Sequence, residues 1–304
     1  MNKSRTPKAF SLTELAIVIL IIGIAIAGIS SATRLVYEFR VNSARSLTAA
    51  SPVNSIRGLV VWFESTSDNS FIDTEESNNE PISTWNDINP QQNFKYALKQ
   101  NNATRRPTYL AKGQTAGLPL VQFYSVPSMP QSMFTTENLD LNGNPNFTIF
   151  FIASATNNST AFSRLFSIGD TSFACSQFDF SYWGNNTGNL RFYGGNKTFS
   201  MFSSNMLASF RIVRDAVSGA STVNGSSTLV YFNGAMKVAG NRATEDCTPY
   251  ITPAPFALNP DVPPSSTEWT TQIGEIIIFN RILKKEEIAD IESYLSRKWS
   301  IKFS

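Results

Sequence analysis

The sequence predicts a mainly β protein: one antiparallel sandwich, led by a long N-terminal helix and closed by a short C-terminal one. Three observations predict this. From Leu15 to Thr33 runs an apolar stretch with no charge, close to the roughly 20 residues a helix needs to cross a bilayer. From 58 to 280, short segments rich in β-branched and aromatic residues alternate with stretches rich in Asn, Gly, Ser and Pro, the rhythm of a sandwich. At the end, KKEEIADIESYLSRKW places Ile288, Ile291, Leu295 and Trp299 on one helical face.

Composition bounds what this architecture can do. The chain has 304 residues, 42% hydrophobic and 16% charged, with 23 Phe. That supplies a sizeable core. Net charge is +2, but Lys3, Arg5 and Lys8 all precede the apolar run; without them 22 basic residues face 23 acidic ones. No basic patch is left to hold nucleic acid. There is no histidine, which removes Ser-His-Asp and Cys-His catalysis and His-ligated zinc.

The N-terminal segment KAFSLTELAIVILIIGIAIAGIS carries one carboxylate, Glu14, just inside its apolar run. Three readings compete. A secretory signal peptide has a basic start, an apolar middle and a small-residue cleavage site after it, and Ala25 to Ala27 offers such a site, but the run is long and Glu14 is out of place. A plain signal anchor explains the length but not Glu14. A third reading explains both.

The stretch KAFSLTELAIVILIIG resembles the N-terminus of type IV prepilins and type II secretion pseudopilins. The resemblance implies a leader over residues 1–9, removed by a prepilin peptidase between Ala9 and Phe10. Glu14 then becomes the fifth mature residue, the family's acidic position, and Gly23 the fourteenth. It implies a role for Phe10 and Glu14 in assembly, the carboxylate meeting the N-terminal amine of a neighbouring pilin subunit. Ala9 replaces the family's usual Gly. Ser31 stands where many major pilins have a kinking Pro, which favours a minor pilin or pseudopilin. A lone carboxylate in lipid costs several kcal/mol unless paired. Ser11 and Glu14 also fit the S-x-x-E capping box, so the same acid can satisfy the helix's first amides.

The helix is expected over 10–54, with 15–33 in the bacterial inner membrane and the N-terminus cytoplasmic. Leu35, Val36, Phe39 and Leu47 extend it as an amphipathic pattern, and Pro52 stops it. Candidate strands follow at 58–64, 119–124, 147–154, 164–168, 189–193, 209–215, 228–234 and 273–280. Asn233-Gly234 reads as a tight hairpin turn. The proline-bearing stretch 246–268 reads as a long surface loop.

The ordered set GLVVWFE, ISTWNDINPQ, RRPTYL, GLPLVQF, FTIFFIAS, LVYFNG and GEIIIFNRILKKEEIADIESYLSRKW resembles bacterial laminin-G-like domains, with the concanavalin A-like jelly-roll fold. The resemblance covers most of 55–304. It implies a lectin-like module, since relatives include sugar binders, adhesion modules and glucanases. Lys284 stands where relatives often have a helix-capping Ser, Thr or Asp.

Chemistry is sparse. Glucanases need two carboxylates on one strand facing a cleft; the nearest text, EIADIE, has helical spacing, so its acids are expected in solvent and no enzyme activity is expected. Calcium through Asp87, Asp170, Asp179 or Asp215 is a weaker expectation than simple turn capping by the same residues. Tyr182 and Trp183 in FDFSYWGNNTG are candidates for stacking on a glycan. In an exported domain Cys175 and Cys247 are expected to form one disulfide. Together these point to a filament subunit of pilin type, with a secretion pseudopilin or a membrane-anchored glycan binder or hydrolase as alternatives.

Overall fold

Phe147, Ile149, Phe151 and Ala153 lie in one core, while Phe150 and Ile152 between them lie in another. That alternation is the two-residue period of a strand buried on both faces, and it defines the layers of the domain. The computed structural model describes residues 11–113, 117–125, 130–139, 141, 146–157, 163–168, 178–183, 187–192, 195–200, 207–214, 226–241, 255–259 and 269–304. The chain divides into two units, Met1–Ser43 and Ala44–Ser304.

Helix α1 runs Leu12–Ala49, and its residues up to Ser43 belong to the first unit. It is unbroken at Ser31, whose hydroxyl donates to the Ala27 carbonyl at 3.0 Å. Leu35, Val36 and Phe39, expected on an apolar face, are exposed, whereas Leu47 packs into the second unit's outer core. The helix ends before Pro52, which opens a 3-10 turn over Pro52–Asn54. The Asn54 amide donates to the carbonyls of Thr48, Ala49 and Ser51, which satisfies part of the helix's open C-terminal end.

The second unit is a sandwich of antiparallel strands, in chain order β1 (Leu59–Glu64), β2 (Thr84–Asn86), β3 (Ala97–Lys99), β4 (Thr108–Leu110), β5 (Leu120–Ser125), β6 (Met133–Asn138), β7 (Phe147–Asn157), β8 (Ser163–Ile168), β9 (Phe178–Trp183), β10 (Thr187–Phe192), β11 (Gly195–Ser200), β12 (Ala208–Arg214), β13 (Ser226–Phe232), β14 (Ala235–Asn241), β15 (Pro255–Leu258) and β16 (Trp269–Phe279). One sheet has the order β14-β13-β12-β7-β16-β5-β4, and β1 joins β16 beyond β5. The other has the order β11-β10-β9-β8-β15-β6-β3-β2.

The main core fills the space between the sheets with Phe63, Phe151, Phe166, Phe180, Phe210 and Phe256 among others. Each fully buried ring contributes about 1.5–3 kcal/mol of transfer free energy. A second core covers the outer face of the first sheet. There Trp62, Phe150, Ile277 and Phe279 meet helix α2 (Lys285–Trp299) through Ile291, Tyr294, Leu295 and Trp299. Ala44 and Leu47 close the same layer.

Two expectations need correction. The stretch 246–268 is not all loop: it contains β15, which lies between β8 and β6 with Phe256 and Leu258 wholly buried. Pro255 is the strand's first residue, where a missing N–H is tolerated. The acids of EIADIE are not all solvated either. Glu292 pairs with Arg211 at 2.9 Å and Glu287 with Arg281 at 2.6 Å, and only Asp290 is exposed. Glu287 also supplies the cap that Lys284 lacks, accepting the Lys284 N–H at 2.8 Å. The expected Asn233-Gly234 turn is present, with φ of 47° and 85°, the doubly left-handed geometry of a type I′ hairpin.

Candidate functional site

The first candidate is the start of α1. Ser11 N–H donates to Glu14 Oε2 at 2.8 Å, and Glu14 N–H donates to Ser11 Oγ at 3.3 Å. This is the reciprocal capping box, which fixes Glu14 over the helix's positive end. Every large apolar side chain from Leu12 to Ile29 is exposed, Val18 least at 49%. So large an exposed apolar surface is shared by membrane anchors and signal sequences. The helix is long and apolar enough to cross a membrane. The first charges after it, Arg34 and Glu38, form an i,i+4 pair at 2.8 Å. Ala9 and Phe10 lie outside the described residues.

Of the head's candidates, Asp87 is the best defined. It is buried, and its Oδ1 accepts the backbone N–H of Trp62 at 2.8 Å and of Asn89 at 2.9 Å. It pins the loop after β2 to β1, and burial pushes its pKa up to about 6. Asp179, Tyr182 and Trp183 lie on β9, the latter two as its last residues, paired with Gly188 and Thr187 of β10. Asp170, Asp215, Cys175 and Cys247 lie outside the described residues. Among the described residues no group of three acidic or thiol side chains is placed to hold a metal.

Sequence reasoning missed a buried charged cluster. Glu64, Glu275 and Lys298 are fully buried together between β1, β16 and α2. Lys298 Nζ lies 2.6 Å from Glu64 Oε1 and 3.2 Å from Glu275 Oε2, and donates to Thr48 Oγ1 at 2.7 Å. Glu275 accepts from Trp62 Nε1, Trp299 Nε1 and the Tyr294 hydroxyl, at 2.7, 2.7 and 2.8 Å. Burial raises the Glu275 pKa, opposed by the Lys298 ammonium, and lifts the Tyr294 phenol well above its ordinary range. The available signal was helical spacing: Lys298 lies seven residues after Ile291 and three after Leu295, on the buried face.

A cleft of about 240 Å³ lies beside this cluster, lined by Arg45, Thr48, Asn54, Trp62, Asp68 and Asn69 among others. Arg45 crosses it to Asp68 at 2.5 Å and to the Thr66 carbonyl at 2.8 Å. Its volume is below the roughly 300–1,000 Å³ of ligand pockets.

No protein-family model matches the chain. No curated protein matches it in sequence either. Solved structures do match in fold. A botulinum neurotoxin type C structure, from work on cell uptake through two ganglioside molecules, superposes with TM-score 0.54 at 10% identity, covering 80% of this chain and 52% of that one. The binding domain of botulinum neurotoxin serotype D/C gives 0.53 at 11% identity, covering 78% and 52%. The same binding domain in complex with rat synaptotagmin II gives 0.53 at 11%, again covering 78% and 52%. The chain therefore matches about half the length of these structures. At this identity the likeness is one of fold: a two-sheet antiparallel β-sandwich.

Proposed function

We propose that the protein is a minor type IV pilin-like filament subunit whose sandwich head recognises a glycan or other surface ligand. The reading rests on one observation above others. A helix whose large apolar side chains are all exposed from Leu12 to Ile29 begins with a single carboxylate, Glu14, held at its first turn. A membrane anchor needs the apolar surface but has no need of the acid. A subunit that must meet a neighbour's amine needs both. In this reading residues 1–9 are a leader, cut between Ala9 and Phe10 by a prepilin peptidase. Residues 10–54 form the membrane and filament helix, and 55–304 form the head.

The head is read as a binder and not a hydrolase. Its buried carboxylates, Glu64 and Glu275, have no surface at which a sugar can reach them, whereas glycosidase carboxylates flank the scissile bond. The toxin structures of similar fold are described as binding gangliosides or synaptotagmin, which supports surface recognition by a sandwich of this kind. Tyr182 and Trp183 are the residues proposed to stack on a glycan, and calcium at Asp87, Asp170, Asp179 or Asp215 is the weaker proposal. N-terminal sequencing of the mature chain tests the reading. A chain beginning at Phe10 is expected; one beginning after Ala27 shows a secretory signal peptide and removes the filament helix. Recovery in sheared surface filaments separates a pilus subunit from a secretion pseudopilin and from a lone membrane-anchored binder.

A further inference from the structure

We propose that Lys298 and Glu64 become joined by an intramolecular amide bond, formed within the folded head with Glu275 as the proton carrier. Three features of the site carry this. First, one ammonium faces two carboxylates, Nζ standing 2.6 Å from Glu64 Oε1 and 3.2 Å from Glu275 Oε2, and all three side chains are fully buried. Amide formation removes one charge of each sign, so the net charge of the cluster does not change, and the three donors already aimed at Glu275 remain to hold it.

Second, the two oxygens of Glu64 are treated differently. Oε1 receives the Thr66 N–H at 2.7 Å and the Thr66 hydroxyl at 2.5 Å, the arrangement that stabilises an oxyanion developing on a carbonyl. Oε2 is buried with no hydrogen-bond partner. An orphaned carboxylate oxygen costs more than an unmet neutral polar group. In the amide that oxygen has left as water. Third, Trp62, Tyr294 and Trp299 lie in the apolar layer around the cluster and keep bulk water from the reacting groups.

The step balances without a co-reactant. The Lys298 ammonium passes one proton to Glu275, and the freed lone pair attacks Glu64 Cδ. A C–N bond forms as charge gathers on Oε1. Nζ, now bonded to Cδ, passes two protons to Oε2 and takes one back from Glu275. The Cδ–Oε2 bond then breaks and water leaves. Nζ keeps one hydrogen, and Glu275 returns to a carboxylate. Holding the two reactants in contact supplies the proximity such a condensation lacks in solution. The bond ties β1, the first strand after α1, to the last helix of the head. The chemistry does not depend on the filament reading.

The test uses the full-length protein, extracted in detergent, reduced, alkylated, denatured and digested with trypsin. The expected product is a branched peptide joining residues 58–95 to 298–302, lighter than its two parts by one water, with cleavage after Lys298 blocked. Glu275→Gln is expected to yield the two peptides unlinked. Unlinked, unmodified peptides from the folded wild-type protein overturn the proposal, whatever the behaviour of the variant. A linked peptide from Glu275→Gln overturns the role given to Glu275. Neither result bears on the mature N-terminus, so failure here is distinct from failure of the filament reading.

Discussion

Gly274 lies directly beneath the indole of Trp299: a Cβ at position 274 would stand 2.6 Å from the ring's Cη2. The glycine falls where the pairing of β16 with β7 shifts register between Ile273 and Glu275. The bulge re-aims the strand, so that Glu275 turns to the outer face and receives the Trp299 Nε1 at 2.7 Å.

Gly274→Ala is therefore expected to destabilise the head by about 1–3 kcal/mol through overpacking. Denaturant melts of wild type and variant measure it. An unchanged midpoint would show that the ring moves aside freely.

Asp87 predicts a pH dependence. Its folded-state pKa, raised by burial from 3.8 to about 6, makes the folded protein bind the proton more tightly than the unfolded chain does between those values. The stabilisation from its neutral form is full below pH 4 and lost as pH rises through 6, a difference of roughly 3 kcal/mol at most. Asp87→Asn keeps an acceptor for the Trp62 and Asn89 amides and removes the titration. The stability–pH curve of the variant should be flatter than wild type between about pH 4 and 6; an equal slope contradicts the assignment.

Glu287 caps α2 and is gripped by Arg281, whose Nη1 and Nη2 donate to it at 2.9 and 2.6 Å. Those bonds lower its pKa, so its contribution is present above the ordinary carboxylate value and is lost as pH falls through the folded one. Glu287→Ala is expected to cost about 1 kcal/mol near neutral pH, as loss of a helix cap does. Thermal melts at neutral and acidic pH check it, and the difference between the two proteins should narrow in acid.

The long elements were legible because their residues repeat. The isoleucines of β16, the phenylalanines of β7 and the apolar face of α2 each announce their period. The three-residue strands β2, β3 and β4 carry too few residues to show one. β15 was hidden by its flanking prolines. Glu14 stood out because an acid is foreign to an apolar run. Lys298 and Glu64 did not, because charge at the end of a helix or strand ordinarily means solvent; only the fold brings two such ends together.

The sequence also predicts that Cys175 and Cys247 pair if the head is exported, as proposed. Intact mass after alkylation, with and without reductant, measures this. Alkylation only after reduction is expected, and two freely alkylated thiols in envelope-derived protein would contradict it. In the chain-entropy model a loop of about 70 residues is worth roughly 4 kcal/mol.

The central claim is that Glu14 serves assembly. Glu14→Gln keeps the size and much of the capping geometry around Ser11 while removing the charge that would hold a neighbour's amine. The direct measurement is the amount of the variant in sheared surface filaments relative to the amount in the membrane. The account predicts normal leader cleavage, normal membrane insertion, an unchanged melting temperature of the head and a marked fall in filament incorporation. Incorporation equal to wild type would reduce Glu14 to a helix cap and contradict the account.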